Sequence, residues 1–330
     1  MAPAPFSLLG SLSQFDSRDE TPAIGTVFLS PSVQLSDILV RSDSDTLLRD
    51  LATLVSHRGV VFFKSQNLSV NQLKELGTRL GELSGKPQTS TLHKHPISES
   101  SPELGADISV ISSEGGIARA DFVKESRASN GWHSDITFER VPSDYTLLKM
   151  HRLPSVGGDT LWASGYEAYD RLSPTLRSFL EGLTAVHNAD FFIKYAKQLG
   201  LPIQDPRGSP ENTGSDLTAV HPVIRTNPVT GFKSLFVNKT FTKRIVELQV
   251  EESDALLAYL FRHISENHDL QVRYRWNVND IAIWDNRSTF HTATNDYGTE
   301  RRAGDRVVSI GERPFFDPKS RSRRDTLDFM

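Results

Sequence analysis

The sequence predicts a mostly β, α+β chain built on a β-sandwich or jelly roll, with helical insertions and flanking helices. The first observation is a series of short apolar segments between turn residues from 131 onward, including "YTLLKMHRL", "DTLWAS", "AVHPVIRTN", "KSLFVN", "QVRYRW", "DIAIWDN", "STFHTAT" and "RVVSIGERPFF". The second is that only two helical stretches interrupt them, "GYEAYDRLSPTLRSFLEGL" and "EESDALLAYLFRHISENH", whereas a parallel α/β sheet needs regular alternation. The third is composition: 37% hydrophobic and 24% charged residues over 330 positions suit one elaborated globular domain spanning 1–330.

Each element follows from local pattern. Residues 1–30 are rich in Ser, Pro and Gly with little periodicity, and read as an arm over the surface. Leu47, Leu48, Leu51, Leu54 and Val55 then recur at helical spacing, with Gly59 as a stop, and lead into the buried strand Val60-Val61-Phe62-Phe63. A second amphipathic helix covers "SVNQLKELGTRLGEL". Residues 84–130 are Ser-, Gly- and Glu-rich and hold one strand-like segment, "ADISVISS"; such a long loop is placed to lie over a site. The four tryptophans, Trp132, Trp162, Trp276 and Trp284, are expected in the core. The basic residues Lys319, Arg321, Arg323 and Arg324 make 317–330 read as a solvated tail.

Composition narrows function. A net charge of −4 gives no basic footprint for nucleic acid, and no apolar run is long enough to suggest a membrane span. Cysteine is absent, so disulfides, thiolate ligands and a cysteine nucleophile are excluded, and any metal must be held by nitrogen and oxygen. No secretory signal is evident, so the cytoplasm is the expected compartment and a small molecule the expected partner.

The segment "WHSDITFE" carries the chemistry. Read as a strand, it places Trp132, Ser134, Ile136 and Phe138 on one face and His133, Asp135 and Thr137 on the other. Imidazole and carboxylate then project together, and a second histidine from elsewhere would complete the two-His-one-carboxylate face of a non-haem Fe(II) oxygenase. Of the ten histidines His291 is the best candidate, because Arg302 and Arg306 follow it by 11 and 15 residues and a guanidinium binds an anion through paired hydrogen bonds. A surface pairing of these arginines with Asp296, Glu300 or Asp305 is the alternative. His93 is expected to face away from His95, and His57, His151, His187, His221, His263 and His268 to be structural or on the surface.

From roughly Val60 to Phe316 the chain resembles the taurine dioxygenase (TauD/TfdA) family of Fe(II)/2-oxoglutarate enzymes, fungal sulfonate dioxygenase-like members included. The matching blocks, in order, are "WHSDITF", "LPSVGGDTLWAS", "HPVIRTNPVTG", "LFVNKTFTKRIV", "NDIAIWDNRSTFHTAT" and "RRAGDRVVSIGERPF". The resemblance implies a double-stranded β-helix (jelly-roll) core, and His133, Asp135 and His291 as iron ligands. It implies Thr160 and Arg302 on the distal carboxylate of 2-oxoglutarate. Arg306, with His95, would hold a substrate anion, and Phe241 and Ile136 would be pocket wall. Fe(II), 2-oxoglutarate and O2 would be the cofactors, and relatives are often homo-oligomers. The sequence departs from the bacterial taurine enzymes at "SGKPQTST" and at Ser129-Asn130, where substrate would be selected.

The expected reaction is oxidation of a C–H bond in a small anionic, sulfonate- or taurine-like substrate, with decarboxylation of 2-oxoglutarate to succinate and CO2. The same cofactors could serve hydroxylation, desaturation or ring closure on an amino acid or secondary-metabolite precursor. A metal-binding jelly roll or hydrolase without oxygen chemistry is the alternative from another class, but it leaves Thr160, Arg302 and Arg306 without a joint purpose.

Overall fold

Two-residue alternation along the strands sorts the apolar side chains onto two faces of a large sheet, and both faces are covered. The computed structural model describes residues 8–98, 104–115, 117, 120 and 126–327. Its strands are β1 (Ser17–Asp19), β2 (Thr26–Phe28), β3 (Val60–Phe63), β4 (Ile108–Ser112), β5 (Ser143–Arg152), β6 (Thr160–Ser164), β7 (Thr184–Asn188) and β8 (Thr218–Pro222). They continue as β9 (Ile224–Thr226), β10 (Lys233–Leu235), β11 (Thr242–Ile245), β12 (Gln271–Tyr274), β13 (Ile281–Asp285), β14 (Thr289–Ala293) and β15 (Ala303–Ile310). The helices are α1 (Leu35–Val40), α2 (Ser44–Arg58), α3 (Val70–Leu83), α4 (Gly165–Asp170), α5 (Pro174–Leu180), α6 (Asp190–Leu199), α7 (Val250–Ser265) and α8 (Arg323–Leu327).

The large sheet has the order β1-β2-β3-β13-β5-β15-β4, antiparallel except for β2 beside β3; a smaller one has the order β12-β6-β14. On one face of the large sheet Val61, Phe63, Leu147, Ile281 and Ile283 pack with Leu47, Leu51, Leu76 and Leu80 of α2 and α3. On the other, Val60, Phe62, Met150, Ala282 and Trp284 meet Trp162, Val272 and Tyr274 from the smaller sheet. Phe62 stacks on Tyr274 at 4.0 Å, and the rings of Trp162 and Trp284 lie 5.7 Å apart. Full burial of each such side chain contributes about 1.5–3 kcal/mol, so this interior fixes how the two sheets sit. All four tryptophans are buried, as expected.

The helix ends match their signals. Ser69 and Gln72 form a capping box at the start of α3. Gly59 ends α2 at φ +75°, and a Cβ there would stand 2.8 Å from Thr289 Cγ2, so both conformation and space call for glycine.

Four expectations are corrected. The 1–30 segment is not only a surface arm: β1 and β2 extend the large sheet, and Leu12, Ile24, Val27 and Phe28 are buried. Residues 132–139 are not a strand. His133 makes one isolated bridge, the chain then turns, and Ile136 has φ +51°, because Ser134 to Phe138 are buried on all sides instead of alternating. Helix α6 and strands β7 and β11 add to the expected elements. The 317–330 tail is not simply solvated: Arg323 is buried and, with Arg324, binds Glu167. Parts of 1–30, 84–130 and 317–330 fall outside the described residues.

Candidate metal centre and its cavity

Three ligand-type side chains meet where a single bridge extends the edge of the smaller sheet. His291 on β14 exchanges backbone hydrogen bonds with His133, 2.7 and 3.0 Å long, and the two rings stand 4.2 Å apart. Asp135 Oδ1 lies 3.8 Å from His133 Nε2 and 3.9 Å from His291 Nε2. One ligand atom from each residue lies within 4.8 Å of the others.

The donor set fits a divalent iron. His133 Nδ1 is 2.7 Å from the Gly131 carbonyl, which can only accept, so Nδ1 carries the proton and Nε2 keeps its lone pair toward Asp135. Burial pushes both imidazoles down, His291 to about 3, so both stay neutral. Burial pushes the Asp135 carboxyl up, but the Arg306 guanidinium, foremost, and the Thr146 hydroxyl lower it, and it lies at about 2. Two neutral imidazoles and one carboxylate, with no thiolate, form the facial set suited to Fe(II).

The carboxylate is held from behind. Asn286 Oδ1 accepts from Asp135 N at 2.9 Å and from Trp284 Nε1 at 3.1 Å. Its Nδ2 donates to Ser143 Oγ at 3.0 Å and Thr146 Oγ1 at 2.8 Å, and Thr146 Oγ1 donates to Asp135 Oδ2 at 3.0 Å. Sequence reasoning assigned neither residue a role. The available signal was the position of Asn286 in the turn between "DIAIWD" and "STFHTAT", the block that carries His291.

Thr160 and Arg302 come together beyond the histidines. The Arg302 guanidinium donates to Gly158 O at 2.8 Å and Thr160 Oγ1 at 3.2 Å, and Trp276 Nε1 also donates to Thr160 Oγ1 at 3.0 Å. With its acceptor sites taken, the Thr160 hydroxyl is left to donate. A Cβ on Gly158, at φ +71°, would meet Arg302 Cδ at 3.0 Å, so glycine there lets the arginine lie flat against the backbone. Arg302 is buried, burial lowers its pKa, and among the described residues it makes no salt bridge.

Arg306 points inward from β15, where Nη1 donates to Asp135 Oδ1 at 2.6 Å, while its buried Nε has no partner among the described residues. A cavity of about 310 Å³ is lined by His133, His291, Thr160, Arg302, Arg306 and Phe241, among others. Residues of 84–130, such as Ile111, Ser113 and Arg127, also line it. His95 and Ile136 do not. His95 is buried against Phe192 and Phe138, and Ile136 joins the apolar cluster of Phe138 and Val308. His93 does not face away from His95: the rings are 5.9 Å apart because Glu139, 3.2 Å from His93 Nε2, draws it inward too. Phe191 and Phe192 of α6 add a cavity wall that the sequence reading did not assign.

Comparison with known proteins identifies the family. Residues 16–308 match the family described as taurine catabolism dioxygenase TauD, TfdA family. The chain is 43% identical to the alpha-ketoglutarate-dependent dioxygenase oryG of Aspergillus oryzae, over 98% of this chain and 96% of that one. It is 33% identical to an alpha-ketoglutarate-dependent sulfonate dioxygenase of Saccharomyces cerevisiae, over 94% and 70%. A crystal structure described as a taurine dioxygenase from Burkholderia xenovorans superposes with a TM-score of 0.70 at 26% identity, covering 93% of this chain and 94% of that one. The chain belongs to the TauD/TfdA family, and is an oxidoreductase that uses Fe(II), 2-oxoglutarate and O2.

Proposed function

We propose that this dioxygenase oxidises a C–H bond of a small organic anion, sulfonate-like in charge, with His133, Asp135 and His291 holding the iron. Bound Fe(II) with 2-oxoglutarate and O2 supplies the oxidant and leaves succinate and CO2. Arg302 and the Thr160 hydroxyl would bind the distal carboxylate of 2-oxoglutarate, and Gly158 O and Trp276 fix the angle at which they present their donors. Arg306 would hold the substrate anion through its unmatched donors, beside the metal ligand it already touches. His95, in the layer behind Phe192, and Ile136 would shape the wall from outside the cavity lining. The two facing sheets support a double-stranded β-helix core, with residues 84–130 as a loop region over the site.

The observation that carries the reading is Arg302: a buried guanidinium with no carboxylate partner among the described residues, facing the cavity that the iron ligands also line. A buried charge is retained at such cost only where something of opposite sign completes it. The sulfonate dioxygenase relative supports an anionic substrate. Anaerobic protein with Fe(II) and 2-oxoglutarate should show a visible charge-transfer band that His133→Ala abolishes. Iron-loaded, folded protein without that band would sink the assignment. Arg306→Leu should raise substrate KM and keep the band, and loss of both would make Arg306 a co-substrate residue.

A further inference from the structure

One wall of the cavity is aromatic. Phe191 and Phe192 of α6 lie 4.3 Å apart, and Phe191 stacks on Phe241 at 6.0 Å with the planes 13° apart. Phe241 in turn sets its ring against His133 at 5.9 Å, so the aromatic wall begins at the iron ligands and runs outward. Ile111 and Leu148 add further apolar surface to the lining. Phe191 is only partly buried, so part of it borders open space that a ligand would cover.

The charges in the same cavity all point one way. Arg302, Arg306 and Arg127 line it, and among the described lining residues there is no aspartate or glutamate. Asp135 stands close by, but Arg306 and the metal position take up its Oδ1. With Fe(II), the Asp135 carboxylate, the two buried guanidiniums and a doubly charged 2-oxoglutarate in place, a single positive charge is left over, the exposed Arg127 being screened by solvent. A monoanion neutralises it. A zwitterionic amino-sulfonate does not, and would bring an ammonium group among cations with no carboxylate among the described lining residues to receive it.

We propose that the primary substrate is an organic monoanion with an apolar alkyl or aryl body and no ammonium group, its body lying against Phe191, Phe192 and Phe241. This rests on Arg306 holding the substrate anion, as above. At about 310 Å³ the cavity is near the lower end of small-molecule sites and must also take the co-substrate, which keeps the body small.

The test is an anaerobic titration of the full-length Fe(II)/2-oxoglutarate protein with hexane-1-sulfonate, hexanoate and taurine, following the shift of the charge-transfer band, then aerobic succinate release. At least one six-carbon anion is expected to bind at least tenfold tighter than taurine, and comparing the two separates sulfonate from carboxylate recognition. Phe191→Ala should weaken the preferred anion about tenfold, equivalent to about 1.4 kcal/mol, and leave taurine within about twofold. Phe191→Leu, which keeps an apolar surface, should recover most of the loss. Taurine binding as tightly as the six-carbon anions would overturn the proposal, as would equal weakening of all three by Phe191→Ala. A band that forms normally but responds to neither six-carbon anion overturns it alone, whereas failure of the band to form removes the iron and 2-oxoglutarate reading beneath it.

Discussion

Asn286 offers the sharpest test of how Asp135, the proposed carboxylate ligand, is held. Its side chain makes four hydrogen bonds inside the core, two as acceptor from Asp135 N and Trp284 Nε1, two as donor to Ser143 and Thr146. Asn286→Ala leaves both of the former donors buried and unmatched, at about 1–3 kcal/mol each, so unfolding in urea should show a loss of about 2–6 kcal/mol. It also frees the Asp135 backbone and the Thr146 hydroxyl that orients Oδ2. Loss of such supporting contacts lowers metal affinity by about 10–100-fold. Thr146→Val separates the two effects, because Asn286 Nδ2 retains Ser143 Oγ. Its stability cost should be about 1–2 kcal/mol, while metal affinity still falls about tenfold. The assay is titration with Co(II), read by its visible d–d bands, alongside circular dichroism to establish folding. A folded Thr146→Val that binds Co(II) as tightly as the parent would refute the reasoning.

Three further outcomes are expected. Arg302→Leu should raise the KM for 2-oxoglutarate by about 100-fold or more, since two charge-assisted hydrogen bonds are lost, while Co(II) titration stays unchanged; Thr160→Val should act in the same direction by about tenfold. Burial, aided by Arg225, holds the His221 imidazole at about 4 although the Thr137 and Glu139 carbonyls favour its charged form. The unfolded chain, titrating near 6.5, binds the proton first, so stability is complete above about pH 6.5 and falls toward pH 4, by about 2 kcal/mol between pH 7 and 5 for this residue; urea unfolding of His221→Gln should show a flatter pH profile. Gly59→Ala, forced to φ +75° with its Cβ 2.8 Å from Thr289 Cγ2, should lower stability by about 1–3 kcal/mol in thermal unfolding.

The elements most legible in the sequence are those whose environment is one-sided or wholly apolar. Leu47, Leu51 and Leu54 mark α2 because one stripe of that helix meets the sheet, and Ile281 to Trp284 mark β13 because strands on both sides and packing on both faces demand a continuous apolar run. "WHSDITFE" shows where periodicity stops being informative. Its side chains are buried in every direction, so no alternation is enforced, and a turn through Ile136 can bring His133 and Asp135 together as well as a strand could. The pair was legible, but the geometry inferred for it was not. Helix α6 was hidden because "DFFIK" is as apolar and short as a strand, and its reason for being helical, Phe192 packing on Phe138 and His95, lies in distant parts of the chain. The tail failed for the same reason: the partner of Arg323 is 156 residues away, and no local pattern announces it.

The corner between β13 and β14 explains why one polar site could be built inside an otherwise apolar sandwich. β13 belongs to the large sheet and β14 to the small one, so residues 286–288 must cross between layers. That crossing is clamped by Arg287, whose Nε and Nη2 donate to the two oxygens of Asp285 at 2.8 Å each, with Asn227 also donating to Asp285. A buried bidentate pair contributes little net stability, but it admits few geometries. Asn286 is thereby fixed between two clamped neighbours, and it carries the Asp135 backbone; five residues on, the same chain presents His291, whose backbone carries His133. All three proposed ligands therefore take their positions from one crossing. The outer part of the aromatic wall, Phe191, comes from α6, outside this crossing, whereas Phe241 sets its ring against His133. On the proposal above, a change at Phe191 should therefore alter which anion is bound while leaving Co(II) affinity as it is, and Co(II) titration of Phe191→Ala checks it.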